Sequence, residues 1–91
     1  MPAVNQSFRA THASGTLAAD TPTKLQTKKG RGFRVRVTNT GSTNPMEISF
    51  DSGRNWYPIA KSSEFSDDVA FHFFYLRSAL GTTYTVMMFE G

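Results

Sequence analysis

The sequence predicts an all-β protein: a small antiparallel β-sandwich, jelly-roll-like, with about seven or eight strands. Three observations carry this expectation. Ser and Thr together number 20 of 91 residues, with 8 Phe and only 4 Leu, a composition that favours strands over helices. Several segments alternate apolar and polar residues with a period of two. Clusters of Gly, Asn, Asp, Ser and Pro recur about every 8–12 residues, the spacing of strands joined by tight turns. No segment carries the pattern of a helix longer than a turn or two.

Taken in order, residues 1–27 are polar and rich in Ala and Thr, with isolated apolar positions at Val4, Phe8, Leu17 and Leu25. They read as an N-terminal arm or as two or three short edge strands, and residues 28–91 read as the sandwich body. Phe33, Val35 and Val37 alternate with Arg34, Arg36 and Thr38, predicting a strand with Phe33 buried beside the valines. Residues Asn39 to Pro45 are almost all turn formers. Met46, Ile48 and Phe50 alternate with Glu47 and Ser49 in the next strand, and Asp51-Ser52-Gly53-Arg54 reads as a tight hairpin connection. Asn55 to Ile59 forms a third strand that Pro58 assigns to an edge or bulge. Lys61 to Asp68 is polar and reads as a crossing loop. Ala70 to Ser78 and Thr83 to Glu90 complete the sheet pattern.

The last two strands are apolar on both faces. Phe71, Phe73 and Tyr75 oppose Phe74 and Leu76; Met87 and Phe89 oppose Tyr84, Val86 and Met88. A sandwich strand needs only one apolar face. The surplus face, with Phe71, Phe73, Tyr75, Met87 and Phe89, is therefore expected at an oligomer interface or beneath the N-terminal segment.

Length bounds the chain to one domain, and the absence of cysteine excludes a disulfide framework and thiolate metal sites. His12 and His72 leave little for a zinc centre, so no metal or cofactor is expected. The first residues lack the basic and apolar regions of a secretory signal, and nothing approaches the ~18 apolar residues of a membrane span. Charge is uneven. Residues 1–36 hold seven basic residues and one acid, whereas residues 37–91 hold three basic residues and six acids. Lys24, Lys28, Lys29, Arg31, Arg34 and Arg36 are uninterrupted by any acid and suggest contact with an acidic partner.

Catalytic signatures are missing. A glycosidase needs two carboxylates across a cleft, for which so small a sandwich has little room. The serines lack an elbow context, and Lys29-Gly30-Arg31-Gly32 is too short for a phosphate loop. His72 lies between Phe71 and Phe73 and reads as an interface or core histidine. The expectation is a non-enzyme. The Lys28 to Arg34 run carries one aromatic, Phe33, expected to be buried, so neither a nucleic acid nor a membrane partner is expected. An alternative is a carbohydrate-binding module in which Trp56, Tyr57 and Tyr75 form a stacking platform.

Ser49-Phe50-Asp51-Ser52-Gly53-Arg54-Asn55-Trp56 resembles the Asp-box hairpin, Ser-x-Asp-x-Gly-x-Thr-Trp, of sialidases and other β-rich proteins, with Asn55 in place of Thr. Ser49, Asp51, Gly53 and Trp56 are read as hairpin stabilisers: Asp51 bonds amides of its own turn, Gly53 permits positive φ, and Trp56 packs back. More widely, Val37-Thr38-Asn39-Thr40-Gly41-Ser42, the Ile48 to Ile59 hairpin and Tyr75-Leu76-Arg77-Ser78 resemble small β-sandwich virion proteins of tailed bacteriophages, over about residues 33–90. That resemblance implies a head decoration (cement) protein, typically trimeric, made in the host cytoplasm and bound to the major capsid protein on the outer capsid surface. Tail and head-fibre components share the resemblance. On this reading the six basic residues and residues 1–27 contact the capsid, and the doubly apolar strands supply core and subunit interface.

Overall fold

A computed structural model describes residues 9–28 and 30–91. They form eight strands: β1 (Arg9–Leu17), β2 (Thr23–Gln26), β3 (Gly32–Asn39), β4 (Met46–Ser49), β5 (Tyr57–Ile59), β6 (Glu64–Asp67), β7 (Phe73–Arg77) and β8 (Thr82–Glu90). Two four-stranded sheets result, one ordered β1-β8-β3-β6 and the other β2-β7-β4-β5. Every pairing is antiparallel, and β1 pairs β8, β2 pairs β7, β3 pairs β6 and β4 pairs β5. The chain is thus one long hairpin of strands rolled into two layers, which is the jelly-roll arrangement. No helix occurs among the described residues.

The core lies where the alternating faces of the two sheets meet. Leu17, Val35, Val37, Tyr84, Val86 and Met88 face inward from the first sheet. Met46, Ile48, Ile59, Phe74 and Leu76 meet them from the second, with Phe71 at one end. Phe50, Phe71 and Phe74 form a cluster of tilted and edge-on rings with centroids 5.5–6.0 Å apart. Three large rings thereby fill a layer that a Leu-poor sequence could not fill with aliphatics.

Buried polar groups organise the turns. Asn39, fully buried, donates to the carbonyls of Asn44 and Ile59 and accepts from the Gly41 amide and the Thr82 hydroxyl. Ser78 donates to the Pro45 carbonyl at 2.7 Å and accepts from the Gly81 amide. These bonds tie the long 40–45 turn to the β7–β8 turn. Among the described residues no buried side-chain nitrogen or oxygen lacks a partner.

The structure corrects four sequence expectations. Residues 61–68 are not simply a crossing loop, because Glu64–Asp67 pairs with Val35–Thr38 as β6. The strand expected from Ala70 begins at Phe73, since the chain is still passing between sheets at residues 69–71. Phe71 leaves the expected interface face and turns into the core, where it is 6% exposed. Its backbone bridges Gly32 in both directions, and a Cβ at Gly32 would overlap the Phe71 ring. Phe33, expected inside, is 43% exposed. A register shift between Gly32 and Arg34 makes Phe33 the extra residue of a β-bulge, which redirects its side chain.

Residues 9–26 contribute the edge strands β1 and β2. Of the span expected to be an arm or edge strands, residues 1–8 lie outside the described residues.

Candidate functional site: the two outer faces and the hairpin tip

Strand register places the surplus apolar residues on opposite outer surfaces. On the outer side of the first sheet, Ala10, Phe89 and Arg34 form one cross-strand row, and His12, Met87, Arg36 and Ser66 form the next. The bulged Phe33 joins them with its ring 6.4 Å from that of Phe89. Phe33, Phe89 and Met87 therefore make a short apolar stripe bordered by arginines. Arg34 reaches Asp68 at 3.0 Å and Arg36 reaches Glu64 at 3.5 Å, so these charges are held flat against the β6 edge. Both pairs are exposed and add little stability.

The outer side of the second sheet has a different make-up. Lys24, Tyr75 and Ser49 share one row, Gln26 and Phe73 another, and Arg77, Glu47 and Pro58 a third. The Lys24 ammonium lies 4.5 Å from the Phe73 ring centroid, and Phe73 meets Tyr75 edge-on at 5.9 Å. Arg77 stacks 3.9 Å over Trp56 while donating to Glu47 at 2.7 Å. The guanidinium is held between the ring and the carboxylate, an arrangement Lys could not reproduce.

The expected basic cluster is thus divided. Lys24 belongs to the second sheet, Arg34 and Arg36 to the first, and Lys28 and Arg31 to the loop between them; Lys29 lies outside the described residues. Lys28 and Arg31 are exposed and form no ion pair among the described residues. The expected interface set is divided as well: Met87 and Phe89 on one outer face, Phe73 and Tyr75 on the other, and Phe71 inside. Trp56 and Tyr57 line one shallow depression with Ile48, Phe50, Asp51 and Asn55. Trp56 is covered by Arg77, whereas Tyr57, 61% exposed, packs edge-on against Phe65 of the opposite sheet at 5.4 Å.

At the β4–β5 tip, the Asp-box-like residues close a network. Ser49 Oγ donates to Asp51 Oδ1 at 2.8 Å and accepts from the Gly53 amide at 2.9 Å. Asp51 Oδ1 also accepts from the Asn55 amide at 2.9 Å, and its Oδ2 accepts from Asn55 Nδ2 at 2.6 Å. Asn55 thus adds a side-chain donor to the carboxylate. Ser52 and Gly53 have φ of 60° and 88°, and Trp56 Nε1 donates to the Gly53 carbonyl at 3.0 Å. The carboxylate is tied up in its own turn, which is an architectural role.

The Asn55 side chain, then the Asn55 amide and Ser49, lower the Asp51 pKa from 3.8 to about 2. Because the folded pKa lies below the unfolded one, the unfolded chain takes up the proton first, and stability falls as pH drops through that window. Asp51→Asn is expected to lower the urea midpoint at neutral pH and to flatten its acid dependence. The two proteins should converge as pH falls towards 2. Parallel pH profiles for wild type and variant would contradict this.

The sequence reading missed Glu90 as a structural residue. It is 1% exposed and accepts from the Thr11 hydroxyl at 2.8 Å and from the amides of Lys28 and Gly30 at 3.0 and 3.2 Å. The β8 alternation Tyr84, Val86, Met88 points to an inward position 90, which was the available signal. No three His, Asp or Glu side chains gather as a metal site among the described residues. In comparisons with known proteins, no family model and no curated protein matches the chain.

Proposed function

We propose that this protein is a non-enzymatic structural subunit of a tailed phage, which self-associates and decorates the outer surface of the capsid. One observation carries the reading: a two-layer domain of this size presents apolar side chains on both outer faces, Phe89 with Met87 on one and Phe73 with Tyr75 on the other. Rings of this kind gain most when water is removed from both sides, as between a shell and its neighbouring subunits. The first-sheet face, with Arg34 and Arg36 beside the stripe and Arg31 on the adjoining loop, docks on an acidic shell surface. The Phe73–Tyr75 row meets neighbouring subunits, and many such weak contacts over a shell add through multivalency.

The test is occupancy on purified virions, read by mass spectrometry and cryo-microscopy. The expected result is density for this chain on the outer head surface. Phe89→Ser combined with Lys28→Glu and Arg31→Glu is expected to reduce single-site affinity about tenfold or more, through lost apolar burial and reversed charge. Particles that lack the chain, or that bind the triple variant at wild-type occupancy, overturn the reading. Density at the tail or in a head fibre overturns the capsid placement and makes the protein a component of that structure.

A further inference from the structure

Edge strands expose unpaired amides and carbonyls, and sandwich proteins ordinarily guard them with short length, proline or charge. Three of the four edges here are guarded. β2 has four residues directly after Pro22, and β5 has three with Pro58 in the middle. β6 has four and carries Glu64 and Asp67. β1 is different. It runs nine residues with no proline, its one permanently charged residue is Arg9 at the first position, and it pairs with β8 without a bulge from Arg9↔Glu90 to Leu17↔Thr82. That is about 30 Å of edge, at ~3.4 Å per residue, that no other described strand pairs. Its inward-facing Thr11, Ala13 and Gly15 stay half-buried although they point towards the core, and Leu17 alone is closed over.

We infer that β1 is an assembly edge and that its occupant is β1 of a second copy, paired antiparallel about a two-fold axis. The strand is self-complementary. A two-fold centred on Ala13 sets His12 opposite Ser14, Thr11 opposite Gly15 and Arg9 opposite Leu17 of the second copy, so no like charges meet. Inward residues then face inward ones, and small residues lie at and beside the axis: Ala13 meets itself, Ser14 meets His12 and Gly15 meets Thr11. The first sheet becomes continuous across two molecules with eight strands, and the two Phe33–Met87–Phe89 stripes lie on one surface. An isologous contact of this kind builds even-numbered assemblies, in place of the three-fold one that the virion resemblance implies. The inference concerns the free protein and does not depend on the capsid reading.

Sedimentation and hydrogen exchange in solution test it. The wild type is expected to dimerise in a concentration-dependent way, with alternate β1 amides becoming protected as the dimer forms. His12→Lys with Ser14→Lys sets lysine opposite lysine across the axis and is expected to weaken the dimer about tenfold or more. Both residues are exposed, and circular dichroism checks that the fold is kept. Thr83→Lys with Thr85→Lys adds the same charge to the same outer face on the neighbouring strand β8 and is expected to leave dimerisation intact. A monomer at every concentration overturns the inference, as does β1 protection independent of concentration. Equal weakening by the two double variants overturns it too, because the face and not the edge would then hold the pair.

Discussion

Replacing Phe74 with alanine is expected to cost about 3–5 kcal/mol, the usual range for deleting a fully buried aromatic ring. Phe74 has no exposed surface, and its ring lies 5.6 Å from Phe50 and 5.5 Å from Phe71. Truncation therefore removes one of three mutually packed rings and leaves a cavity against Phe50 and Phe71. A domain this size has a total stability of about 5–15 kcal/mol, so the variant should be close to unfolded without denaturant. The informative comparison is the adjacent residue. Phe73 is also a phenylalanine on β7, but it points outward and is only half-buried. Phe73→Ala is expected to cost about 1 kcal/mol, the aromatic and cation contacts it makes with Tyr75 and Lys24. Urea denaturation of the two variants checks the assignment of faces. Equal losses would mean that the inward and outward sides of β7 are misassigned.

That contrast shows where the sequence was readable. β3 from Arg34 onward, β4 and β8 were legible because one residue in two is apolar and turn formers mark the ends. The hairpin at Asp51 was legible because its chemistry is local: Ser49, Asp51, Gly53, Asn55 and Trp56 bond within eight residues. β6 was not, because Glu64-Phe65-Ser66-Asp67 offers one apolar residue and no alternation to count. It is a strand because β3 offers it a partner and because Thr38, Arg36 and Arg34 receive Glu64 and Asp68. These are relations across 26 residues or more.

Phe33 and Phe71 failed for a related reason. Period-two reasoning assumes that the strand is unbroken, yet the bulge after Gly32 moves Phe33 out and the passage between sheets turns Phe71 in. Both events occur at one spot, where Gly32 and Phe71 bridge the two layers. The glycine there allows the ring to lie against backbone, a tertiary fact without a local sequence signal. The candidate interface was half legible in the same sense. That the chain carries more apolar faces than one core needs follows from composition and alternation. That the surplus is divided between two opposite surfaces follows only from strand order.

Glu90→Ala is expected to have the second large effect, about 3 kcal/mol or more, although it removes no apolar group. The carboxylate occupies an inward position of β8 at the end of the core and is 1% exposed. It takes the Lys28 and Gly30 amides from the loop joining β2 to β3, and the Thr11 hydroxyl from β1. One side chain thereby fastens the first strand, the last strand and the sheet-to-sheet connection. Alanine would leave two amides and a hydroxyl at a part-buried site without this acceptor, at roughly 1–3 kcal/mol for each group that water cannot reach. Glu90→Gln separates shape from charge. It keeps the size and one acceptor oxygen but turns an NH2 towards the donors, so about 1–2 kcal/mol is expected to be lost. The local signature should exceed the global one: in the Gln variant the Lys28 and Gly30 amides should exchange faster than those of central β8. The order Ala worse than Gln, with exchange quickened first in the 28–30 loop, would establish Glu90 as the clamp of that loop. A Gln variant with wild-type stability and unchanged exchange at both amides would remove that role.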